Sequence, residues 1–72
     1  MTKEDLIFYG FREGEGRKVH VFNNIPKYPE EISTRKLAKK CHISGDRLFS
    51  ILQAFPVNAP VAEDGNLWSR IK

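Results

Sequence analysis

Two apolar stripes separated by a polar interruption constrain the fold of this 72-residue chain more than any other feature; they lie between Ser33 and Gln53, STRKLAKKCHISGDRLFSILQ. Leu37, Ala38, Cys41, Ile43, Leu48, Ile51 and Leu52 recur at helical spacing, but the phase breaks between Cys41 and Leu48, where His42, Ser44 and Gly45 intervene. Two short helices joined by a turn of about three or four residues satisfy this pattern, and one continuous helix does not. Each helix has its own start signal. Ser33 can accept a hydrogen bond from a free backbone N–H of the first helix, and Ile32 just outside is placed to pack on Leu37. Ser44 serves the second helix, where Asp46 puts a carboxylate in the first turn, the end at which the helix dipole favours negative charge.

Leu37, Ala38, Cys41, Ile43, Leu48 and Ile51 fall where a helix-turn-helix buries its residues, with Ala38 small where the second helix crosses. The run ISTRKLAKKCHIS resembles the opening of many bacterial winged helix-turn-helix regulators, and the resemblance extends from Ile32 to Ile71. It implies a helix-turn-helix at 33–55 and a β-hairpin wing at 59–71; with a local reading of residues 6–23 as an N-terminal β-hairpin, the expectation is an α+β, winged-helix-like fold in one domain over residues 1–72.

The remaining segments follow from local chemistry. Leu6 to Arg12 (LIFYGFR) is aromatic and β-branched, and Arg17 to Asn23 (RKVHVFN) alternates; Glu13-Gly14-Glu15-Gly16 between them suits a tight turn, so an antiparallel hairpin is expected. Asn23 to Pro29 reads as a connector because of its two prolines, and Pro56 ends the second helix near Phe55. Val61-Ala62 is expected to pair with Leu67 to Ile71 across Glu63-Asp64-Gly65-Asn66, with Leu67 and Ile71 inward and Trp68 and Arg70 outward. Winged-helix domains usually place a helix before the pair. Here a hairpin is expected in that slot, either taking over its packing role or making the fold a variant.

Twelve Lys and Arg against nine Asp and Glu leave a net charge of +3, which suits a nucleic-acid partner without requiring one. The single cysteine cannot form an internal disulfide, and its place in the apolar stripe reads as a small buried side chain. No apolar run is long enough to span a bilayer, and an intracellular, cytoplasmic protein without membrane contact is expected.

In the resembled family the second helix enters the DNA major groove, which implies reading positions at Ser44, Gly45, Asp46, Phe49, Ser50 and Gln53, with Arg47 close by. Of these, Arg47, Ser50 and Gln53 have the chemistry to read base edges, whereas Asp46 repels phosphate. The first helix offers the stronger DNA-facing group: Lys36 and Lys40 share one face and Arg35 and Lys39 another, a patch suited to phosphates. Arg70 and Lys72 add positive charge on the wing, while Glu63 and Asp64 oppose it. Phe49 with Trp68, and Phe8 on the apolar N-terminal strand, are candidates for a protein partner, although Trp68 also suits the small core. The Gly10, Gly14 and Gly16 series lacks the strand-loop-helix order of a phosphate loop. His20 and His42 have no partners at zinc spacing, and no nucleophile, base and orienting acid are in view, so neither cofactor nor enzymatic activity is expected. Two functions follow. One is a small protein binding double-stranded DNA, a transcriptional regulator or architectural factor; the other is a protein-interaction module, a subunit, adaptor or inhibitor of a nucleic-acid machine, that uses the same scaffold without DNA, with the N-terminal hairpin as the surface for a homodimer or a protein partner.

Overall fold

The N-terminal third is helical where strands are expected. In the computed structural model, which describes residues 2–72, Lys3–Phe8 forms helix α1 and Gly16–Asn24 forms helix α2. Val21, Phe22 and Ile25 decide the second case. They are one and four residues apart, which is one stripe of a helix, and all three are buried. The alternation of Val19 and Val21 is incidental to that stripe, and burial in the core overrides the strand preference of valine. For α1 the start signal is a capping box: the Thr2 hydroxyl accepts from the Asp5 N–H, and the Asp5 carboxylate accepts from the Thr2 N–H. It ends where the Gly10 N–H bonds to the Ile7 carbonyl and the Phe11 N–H to the Leu6 carbonyl. That double closure uses Gly10 at φ +103°. A Cβ on Gly10 would stand 2.8 Å from that of Pro56, so the bend also seats α1 against the chain after the last helix.

After the connector come β1 (Ile32–Ser33), α3 (Thr34–Lys40), α4 (Gly45–Gln53), β2 (Val61–Asp64) and β3 (Leu67–Arg70). Both predicted caps form, the Ser33 hydroxyl accepting from the Lys36 N–H and the Ser44 hydroxyl from the Arg47 N–H. Between the helices His42 takes φ +57°, and its N–H and that of Ile43 close onto the carbonyls of Lys39 and Ala38.

The three strands form one antiparallel sheet in the order β1-β3-β2, with Ile32 opposite Trp68 and Asp64 opposite Leu67. Its hairpin turn is shorter than expected, since β2 runs on through Asp64. Only Gly65 and Asn66 connect the strands, Gly65 at φ +63° in the first turn position. The facing of β3 is also reversed. Trp68 is buried and Arg70 half-buried, whereas Leu67 and Ile71 are exposed. The connector is pinned to the sheet: the Arg70 N–H donates to the Pro26 carbonyl and the Tyr28 N–H to the Arg70 carbonyl, each at 2.7 Å.

Leu37, Ala38, Cys41, Leu48 and Leu52 of the two stripes meet Val21, Ile25 and Trp68 in the core, and Ile32, Ile43 and Ile51 pack against it. Thus α2 packs on both α3 and α4, and its Phe22 ring lies beside the Arg70 guanidinium of β3. Phe11, Phe22 and Phe55 continue the apolar interior toward α1, with ring centroids 5.3 to 6.5 Å apart.

Candidate functional site

Positive charge is concentrated on α3. Between residues 35 and 47 stand five cations, Arg35, Lys36, Lys39, Lys40 and Arg47, against the single carboxylate of Asp46; that surplus of four exceeds the net +3 of the whole chain. The ion pairs among the described residues lie elsewhere, Lys3 with Glu13 and Lys18 with Glu15.

The fold divides this set. Arg35 and Lys39, one turn apart on α3, line a groove of about 540 Å³ together with Gly45 at the start of α4 and Asn66 at the hairpin turn; Ala38 and Ile43 supply its apolar part. No carboxylate lines it among the described residues. The groove is held by hydrogen bonds. The Thr34 N–H and hydroxyl both donate to the Asn66 carbonyl, at 2.9 and 3.2 Å, and the Trp68 Nε1–H donates to the Thr34 hydroxyl at 2.9 Å. Thr34 therefore joins the hairpin tip to the first residue of α3, a role with no signal in the sequence beyond its place beside a cap.

Lys36 is exposed, while Lys40 is engaged: its ammonium donates to the Asn24 carbonyl at 3.3 Å and complements the negative end of α2. On α4, Asp46, Phe49, Ser50 and Gln53 fall on the exposed face, three and four residues apart. Arg47 lies off that face. Its side chain lines a second cleft with Arg17 and His20 of α2.

Arg70 is not at the outer surface of the β2–β3 hairpin. Its Nε–H donates to the Ile25 carbonyl at 2.6 Å, and its guanidinium carbon sits 5.7 Å from the centre of the Phe22 ring. Trp68 belongs to the core, not to an aromatic anchor with Phe49, which stands alone at 60 % exposure. Phe8 is 80 % exposed, on helix α1 and not on a strand. Burial pushes the Cys41 thiol above its usual range, with Lys40 opposing only in part, so it is held as an unreactive thiol. Among the described residues no helix is long and apolar enough to cross a membrane.

These features are the chain's own. Comparison with family models, with curated proteins and with solved structures returns no match in any of the three.

Proposed function

We propose that the chain is a winged-helix protein that binds double-stranded DNA through α3, the exposed face of α4 and the β2–β3 turn, as a transcriptional regulator or architectural factor. The observation that carries this reading is the convergence of Arg35 and Lys39 with the N-terminus of α4 and the Asn66 tip around one groove without carboxylates. Phosphate oxygens suit such a lining, because two cations and free backbone N–H groups all favour negative charge there. The element order supports the winged-helix assignment: α2 fills the slot of the helix before the pair, and β1 joins the β2–β3 hairpin in one sheet. Base reading falls to Ser50 and Gln53.

Binding to a mixed-sequence duplex, followed by fluorescence anisotropy between about 50 and 200 mM salt, tests the reading. Arg35→Ala with Lys39→Ala is expected to weaken binding to every sequence and to flatten the salt slope by about one per residue, whereas Gln53→Ala changes sequence preference. Unchanged affinity in the double variant overturns the groove as the phosphate grip.

A second reading rests on Phe49. An aromatic ring left 60 % exposed beside Asp46 on α4 suits a protein partner better than a phosphate backbone. It requires that Phe49→Ala abolish a defined complex and that the chain ignore DNA even at about 50 mM salt.

A further inference from the structure

The cleft on the other flank of α4 is a separate site. It has a volume of about 380 Å³ and lies between the first half of α2 and the α3–α4 turn. Its rim carries Arg17, His20, His42 and Arg47, all exposed; its base is Val21, buried, with Ile43 and Ile51 half-buried. Among the described residues no carboxylate lines it, and neither guanidinium is engaged in an ion pair or a side-chain hydrogen bond. Two forked cations facing one opening with nothing to neutralise them are complementary to an oxyanion. A bare inorganic ion would leave the half-buried Ile43 and Ile51 uncovered, so an anion that carries an apolar body fits the cleft better. The size lies within the range of small-molecule pockets, which are mostly apolar with a few placed polar groups.

We infer that this cleft binds a small amphipathic anion: an apolar, planar or compact body resting on Ile43 and Ile51, with a phosphate or carboxylate held by Arg17 and Arg47 and reached by the imidazole N–H groups of His20 and His42. Arg17 lies on α2 and Arg47 on α4, so the ligand bridges the two helices. The site shares no cation with the Arg35–Lys39 groove and stands whether or not the chain binds DNA.

Three probes of graded chemistry test this on the full chain, with binding followed by amide chemical shifts: 2-naphthyl phosphate, 2-naphthol, and inorganic phosphate. The expected result is saturable binding of 2-naphthyl phosphate, with shifts concentrated at Arg17–Val21, Cys41–Ile43 and Arg47–Ile51, and with the other two probes weaker by about tenfold or more. Arg17→Gln with Arg47→Gln should weaken the phosphate ester by at least about tenfold and leave 2-naphthol unchanged. Both arginines are exposed, so the double variant keeps its fold, checked by its far-UV spectrum. Inorganic phosphate binding as tightly as the ester removes the apolar half of the proposal, and equal binding of 2-naphthol removes the anionic half. Shifts centred on Arg35 and Lys39, or no saturable binding, overturn the site altogether.

Discussion

His42 holds a backbone conformation that most residue types avoid. At φ +57° it is the residue beyond the α3 C-cap, where the double closure onto Lys39 and Ala38 demands a left-handed turn and glycine meets that demand without strain. A non-glycine residue there costs about 1 to 2 kcal/mol, and glycine returns part of that gain through the freedom of its unfolded chain. His42→Gly is therefore expected to raise the unfolding free energy by about 0.5 to 1 kcal/mol, read as a higher urea midpoint at unchanged slope.

At the scale of elements, α1 depends on its cap. It has six residues and buries none of them, so propensity and packing do little for it. The Thr2 N–H bonded to the Asp5 carboxylate holds that group below its usual value of 3.8, with the Thr2 hydroxyl assisting. A carboxylate lowered in the folded state contributes stability above its unfolded pKa, and that contribution is lost as pH falls through the folded value. The amides of α1 should thus lose their helical shifts on acidification below about pH 4 while those of α3 and α4 persist, and Asp5→Ala should produce the same loss at neutral pH. The difference between α1 and the central pair also explains what could be read from the sequence. Ser33 and Ser44 are caps directly followed by apolar stripes, so α3, α4 and most of their core positions were legible, as was the basic surface of α3. By contrast, α2 has Glu15 at its N-cap, which makes no capping bond with its side chain, and begins with Gly16; only the Val21, Phe22, Ile25 stripe marks it. Because Val19 and Val21 also fit a period of two, the cleft formed by Arg17, His20 and Arg47 has no signature in the sequence. The outward facing expected for Arg70 on β3 fails for a related reason: that facing depends on pairing with β1, some thirty-five residues away in sequence, whereas Trp68 takes the core place that its side chain also suits.

For the whole molecule, the core is small and shared by every element but α1. Stabilities run at about 0.05 to 0.15 kcal/mol per residue, and deleting a buried phenylalanine side chain costs about 3 to 5 kcal/mol. Phe22 is fully buried and touches both the aromatic cluster and the Arg70 guanidinium. Phe22→Ala should remove most of the stability at once, with the far-UV signal and the fluorescence of Trp68, the sole tryptophan, lost in one coincident transition. The same tryptophan anchors Thr34, which in turn holds Asn66, and this relay of hydrogen bonds has a further consequence. The gap between hairpin and helix behaves as a fixed caliper, preset before any encounter. On the proposed DNA-binding reading, little disorder is frozen out when a duplex enters it, and selection falls on the shape and pliability of that duplex.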